Sequence, residues 1–264
     1  MELPVAGEAV EGAFLRAIAE HAPAALRETL GLRATRVDGV TVLTVRAGIP
    51  MFNRAIGFTA PVTAGLLDRI LDVYRAAGAP SAVLKLPPPL LPDDWAELCA
   101  ARGLAPLPDS VKVARSAAGP PRIRTGLRVG PVPADAEAAW TDLVMSALDP
   151  VPHLADLLPG PGRDPRGHRF AAWDGGEMVA AAQLFTHGPA GVLKSGVTRA
   201  SHRGRGAQSA LIAARIAAAR HAGCDWVVSE TSAPEPGEHH TSLRNLERLG
   251  FTRTYDYRTV RWAA

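Results

Sequence analysis

Residues 192–222 place an apolar strand, a glycine-punctuated basic turn and a helix in direct succession. Val192 to Thr198 reads as a strand, and 207–222 carries Leu211, Ile212, Ile216 and Ala218 at helical spacing before it stops at Ala222-Gly223. Between them, Gly204 and Gly206 let the chain turn tightly, so that successive N–H groups converge at the positive end of the helix. That geometry binds phosphate. From Lys194 to Ala222 there are six Lys or Arg residues and no Asp or Glu, which suits a polyanionic ligand.

Two common phosphate loops are excluded. There is no G-x-x-x-x-G-K-[ST], and the third glycine of G-x-G-x-x-G is Ser209. What remains, Arg203-x-x-Gly206-x-Gln208, resembles the R/Q-x-x-G-x-G/A pyrophosphate loop of the GCN5-related N-acetyltransferases, with Gln208 where that family usually has Gly or Ala. Downstream come a strand at 225–230, a short helix in Ser242–Phe251 closed by Gly250, and a strand ending near Trp262. Loop, helix, strand, helix, Gly-Phe and strand follow the second half of an acetyltransferase domain. The resemblance spans 120–264.

It implies an α/β (α+β) fold of two tandem acyl-CoA N-acyltransferase domains, each a mixed, mainly antiparallel sheet flanked by helices. It also implies acetyl-CoA as donor substrate and no metal. Gly196, Val197 and Thr198 would line the pantetheine arm; Arg203, Gly204, Arg205, Gly206, Ala207 and Gln208 would hold the pyrophosphate; Asn245 matches a helix asparagine that touches the CoA arm. A thioester is already activated, so such a site mainly aligns it with a neutral amine, removes a proton and protonates the leaving thiolate. Many family members place a tyrosine four residues before the Gly of Gly-Phe, where this chain has Leu246. Tyr255 and Tyr257 are the substitute acids, and on an alternating strand at most one is expected to face the site; Ser242 is a weaker candidate. Glu230, ending the strand beside the site, is the candidate base. His239 and His240 fall in a loop that commonly touches the acceptor, and His153 and His168 carry less weight.

Pro- and Gly-rich residues 117–122 mark a joint. The organisation expected is 1–118 as a degenerate N-terminal copy, 119–125 as linker and 126–264 as the donor-binding domain. A weak internal repeat supports duplication: Tyr74–Val83 echoes Ala219–Val228, and 95–104 echoes 243–251. The loop position in the first copy, Phe52 to Phe58, holds only Arg54 as a basic residue and reads as scaffold.

Charge agrees with this division. Residues 1–120 carry twelve basic and twelve acidic groups, so the net charge of +3 arises from the C-terminal part. Sparse aromatic residues argue against a dedicated nucleic-acid binder. No run of eighteen apolar residues spans a membrane and no signal-peptide order opens the chain, so a cytoplasmic protein is expected. Cys99 and Cys224 read as buried thiols. The reading is an N-acetyltransferase acting on a small-molecule amine, with its oligomeric state open. Two alternatives stay open: an aminoacyl-tRNA-dependent aminoacyl transferase, and a non-catalytic acyl-CoA-binding regulatory module.

Overall fold

The computed structural model describes residues 3–46, 52–233 and 241–264. Its elements are α1 (Leu3–Glu20), α2 (Ala24–Leu30), β1 (Arg33–Val37), β2 (Val40–Thr44), β3 (Arg54–Ile56), α3 (Ala64–Ala76), β4 (Ser81–Leu86), α4 (Trp95–Ala101), β5 (Ala105–Pro106) and β6 (Ser110–Ser116). Then come β7 (Arg128–Pro131), α5 (Glu137–Met145), α6 (Leu154–Leu157), β8 (Gly167–Asp174), β9 (Glu177–His187), β10 (Ala190–Thr198), α7 (Ala207–His221), β11 (Trp226–Ser232), α8 (Thr241–Arg248) and β12 (Thr252–Ala263). The expected strands and both glycine-stopped helices are present, with small differences at their ends, and β8 turns into β9 through Gly175-Gly176. The result is a mixed, mostly antiparallel sheet flanked by helices.

The strands join in the order β1-β2-β3-β4-β12-β6-β11-β10-β9-β8-β7. Two segments of this order share one local plan. In the first, β2 pairs antiparallel with β3, and α3 carries the chain to β4, parallel to β3. In the second, β9 pairs antiparallel with β10, and α7 carries the chain to β11, parallel to β10. The matched repeat seen in the sequence at 74–83 and 219–228 lies at the same helix-to-strand junction of each plan.

The closing strands of the two halves are exchanged. β6 leaves the first half to pair antiparallel with β11, while β12 pairs with β4 through Arg258–Ala263 and with β6 through Thr252–Tyr257. Residues 117–127 therefore connect two strands, β6 and β7, of one hydrogen-bonded stretch, and the sheet runs unbroken from β4 through β12 to β6.

Helices α3, α7 and α8 cover one face. Leu67, Ile70, Leu71 and Tyr74 pack there on Leu84, and Leu211, Ile212 and Ile216 pack on Val227 and Leu193. Helix α1 lies on the opposite face, against Val192, Val228 and Phe185 on one side and the β2–β3 region on the other. Two glycines permit this close approach. A Cβ at Gly7 would lie 3.3 Å from Val228 Cγ1, and one at Gly12 would lie 2.9 Å from Thr41 Oγ1. The sequence pattern at 52–58 becomes intelligible here. Gly57 has φ +88°, and a Cβ on it would meet the Glu8 carbonyl at 3.1 Å, so the first-half loop is closed off by α1.

Candidate functional site

Strands β10 and β11 pair in parallel from Ala190↔Trp226 to Leu193↔Ser229 and then diverge. At the same level the β9–β10 ladder shifts register between Lys194 and Val197, and Ser195 adopts φ +53°. A non-glycine residue in that region is strained and bends the strand. Gly196 is thereby exposed at the mouth of the divergence, with Val197 and Thr198 half-buried beyond it.

Beneath the bulge lies Arg215 of α7, which is 3% exposed. Its Nε donates to the Leu211 carbonyl at 3.0 Å, and its Nη1 donates to the carbonyls of Gln183 at 3.1 Å and Lys194 at 3.4 Å. Burial pushes its pKa down to about 9. The guanidinium thus donates to a helix carbonyl and to two strand carbonyls at the irregular ladder, at the cost of its own desolvation.

The chain then enters the basic loop. Gly204 and Gly206 take φ +78° and +80°, and nothing lies within 4 Å of a Cβ built on Gly204. Gly206 is the N-cap of α7, whose first-turn N–H groups from Ala207 onward have no partner within the helix. Thr125 Oγ1 donates to the Arg205 carbonyl at 2.9 Å and ties the loop to the segment before β7. Arg203 is exposed and forms no ion pair among the described residues. Arg205 does not simply add charge, as the acid-free sequence suggests: it pairs with Asp174 of the β8–β9 turn at 2.6 Å. Gln208 accepts from Asn245, which in turn accepts from Arg248. Asn245 is buried, so this chain of amides locks α8 onto the loop.

On the α1 face, a row of polar side chains crosses six strands at the level of the divergence. Cross-strand partners share a face, and the register sets Lys85 beside Thr259, Tyr257 beside Ser110, Lys112 beside both Tyr255 and Glu230, and Lys194 beside Gln183. Glu230 is no solvated strand end: it forms an ion pair with Lys85. The expectation that Tyr255 and Tyr257 point apart fails, because a period of two returns residues i and i+2 to one face. Their rings stand edge-to-face at 5.3 Å, and both hydroxyls donate to Glu8 Oε1, Tyr255 at 2.5 Å.

Glu8 and Glu11 descend from α1 onto this row. Glu11 binds Lys112 at 2.5 Å and Lys194 at 2.7 Å. Its burial alone would raise its pKa, and the two lysines override that and hold it well below the usual carboxylate range. Burial raises Glu8 despite Lys112 and the tyrosines. Lys85 is pushed down to about 7, first by burial and then by Arg54 and Lys194, and Lys194 is lowered mainly by burial. Sequence reasoning missed Glu8, Glu11 and the lysines. A signal was present: the chain has three lysines, Lys85, Lys112 and Lys194, each set among apolar strand residues.

The remaining candidates lie elsewhere. Leu246 belongs to the α7–α8 core and Ser242 is exposed. His153 has φ +59° ahead of α6, and burial lowers His168 on β8. His239 and His240 fall outside the described residues. Cys224 is buried as expected, but Cys99 is only half-buried, because the short helix α4 has no fully buried residue. No helix among the described residues is long and apolar enough to cross a membrane.

The model of the acetyltransferase (GNAT) family matches residues 136–251, which takes in the diverging strands, the basic loop and α8. This segment belongs to the GNAT family. Acyl transfer is the chemistry that GNAT membership supports. In overall shape the chain resembles a GCN5-related N-acetyltransferase from Kribbella flavida, at 17% identity and TM-score 0.65 over 94% of this chain and 96% of that one. It also resembles a tandem GNAT protein from the clavulanic acid biosynthesis pathway, at 16% identity and TM-score 0.55 over 97% and 95% of the two chains. These likenesses concern the GNAT fold. No curated protein sequence matches the chain.

Proposed function

We propose that the chain is an acetyl-CoA-dependent N-acetyltransferase acting on the amine of a small molecule. The observation that carries this is a continuity: the divergence of β10 from β11, bent at Ser195, leads without interruption into the glycine-turned N-terminus of α7. A pyrophosphate on the N–H groups of 203–208 would direct its pantetheine arm along Gly196, Val197 and Thr198 to the opening. In this reading Arg203 supplies the free charge, and Asn245 acts by holding Gln208. Residues 126–264 form the donor domain, 119–125 the linker, and 1–118 a degenerate second copy whose loop is closed off by α1.

The acceptor amine, as free base, attacks the thioester carbonyl; the new C–N bond forms, the C–S bond breaks, and the amine proton leaves. Glu230 would take that proton directly or through a water, with Lys85 accommodating the change in its charge. Tyr255, the half-buried member of the pair, would return a proton to the thiolate, and Tyr257 would hold the shared Glu8 oxygen. Two measurements test the reading: calorimetry with CoA and acetyl-CoA at low salt, and thiol release from acetyl-CoA across a panel of amines. Binding heat with amine-dependent release is expected. No heat and no release would overturn it.

A further inference from the structure

Cations outnumber carboxylates around the polar row. Arg54, Lys85, Lys112 and Lys194 face Glu8, Glu11 and Glu230, and one of those carboxylates, Glu8, is already engaged by two tyrosines. Glu11 serves two lysines by itself. Lys85 and Lys112 both stand over the Tyr257 ring, at 4.9 and 5.6 Å from its centroid, which concentrates the charge on one spot.

Unpaired polar atoms lie on the same face. Gln183 is 0% exposed and neither its Nε2 nor its Oε1 has a partner, although it stands directly beside Lys194. Ser110 Oγ beside Tyr257, Thr259 Oγ1 beside Lys85, and Arg54 Nε are buried and unpaired as well. Each such group costs free energy until it meets a partner. Glu8 Oε2 is buried and unpaired as well, so four of six such atoms can donate, and the complement of those four donors is a group made of acceptors. Lys194 and Glu230 retain 21% and 18% side-chain exposure, which opens the row to the strand divergence.

We propose that this row binds a carboxylate of the substrate, so that either the acceptor amine or the transferred acyl group carries an acidic end. This rests on the acyl-transfer reading for its role in turnover, but not for the binding itself. A carboxylate would pair with Lys194 and accept from Gln183 beside it, giving the surplus cations the counter-charge that the protein does not provide.

The binding test uses the whole chain without CoA, with succinate and its neutral isostere succinamide as probes. Succinate should raise the melting temperature and succinamide should not. Equal effects, or none from either, overturn the carboxylate site whatever CoA does. Lys194→Met should lose the succinate effect and Lys194→Arg should keep it; if Lys194→Met does not fold, the succinate–succinamide contrast in the native chain decides. Turnover then identifies the source. With acetyl-CoA, an amino acid favoured over its amide by about ten- to a hundredfold, the span of one charged hydrogen bond, places the carboxylate on the acceptor. The same preference for succinyl-CoA over acetyl-CoA with a neutral amine places it on the acyl group. No preference in either comparison, in a chain that binds CoA and turns over, also overturns the proposal, while a chain that binds succinate but not CoA overturns the acyl-transfer reading alone.

Discussion

Tyr255 and Tyr257 donate their hydroxyl groups to the same oxygen of Glu8, joining β12 to the first helix of the chain. The other carboxylate oxygen, Oε2, is buried without a partner. Removing the acceptor strands the buried Tyr257 hydroxyl, at roughly 1–3 kcal/mol, and the half-buried Tyr255 hydroxyl at somewhat less. Glu8→Ala should therefore destabilise the protein by about 2–5 kcal/mol in urea unfolding, whereas Glu8→Gln, which keeps an acceptor oxygen, should cost well under half as much. Equal losses would show that the loss comes from packing and not from the shared hydrogen bonds.

Lys85 makes stability depend on pH in a definite direction. Its pKa of about 7 in the folded chain lies below the ordinary lysine value, so between about pH 7 and 10 the unfolded chain binds the extra proton. Stability must then rise with pH through that window. The clearest interval is pH 7 to 9, above the lowered histidines and below the ordinary values of the two cysteines, whose thiols are raised. Unfolding free energies of the native chain should climb across it, and those of Lys85→Met should be flatter. Parallel curves would contradict the assignment.

The loop can be tested at one atom. Gly206 sits at φ +80°, where a side chain costs about 1–2 kcal/mol for backbone strain alone and would obstruct approach to the helix N-terminus. Gly206→Val should abolish CoA binding in calorimetry while leaving a cooperative unfolding transition. Arg54→Ala, in the half closed off by α1, should retain CoA affinity within about threefold, a difference of well under 1 kcal/mol. Comparable loss in both variants would place a donor site in each half.

Arg215 is expected to act on the bulge and not on the ligand. Arg215→Met leaves the carbonyls of Gln183 and Lys194 without their donor, so kcat should fall at least about tenfold while KM for acetyl-CoA moves little. A rise in KM with kcat unchanged would instead assign the residue to donor binding.

Much of the second half was legible because its signals are local. A strand, two glycines, an arginine and a helix lie within some thirty residues, and Gly204 and Gly206 take the positive φ that their spacing suggests. The candidate chemistry was less legible because it is assembled from afar. Glu230 meets Lys85 across 145 positions, and Tyr257 meets Glu8 across 249. Nothing within a helical window of α1 marks its glutamates as buried, since the surfaces that cover them belong to β6, β10 and β12. The misjudged orientation of Tyr255 and Tyr257 had a simpler origin, in the parity of the strand: Asp256, not either tyrosine, is the residue that faces away.

The central place of β12 bears on how the protein is made. Synthesis proceeds from the N-terminus, yet the sheet edges of β4 and β6 both await a strand that begins only at Thr252. Until β12 emerges from the ribosome, each half presents an unpaired edge to its neighbours, the feature that templates aggregation. Neither half is therefore expected to finish folding on its own during translation. Chains stalled before β12 should be found with chaperones or in the insoluble fraction, and a nonsense codon ahead of Thr252 should disable the N-terminal half as fully as the C-terminal one.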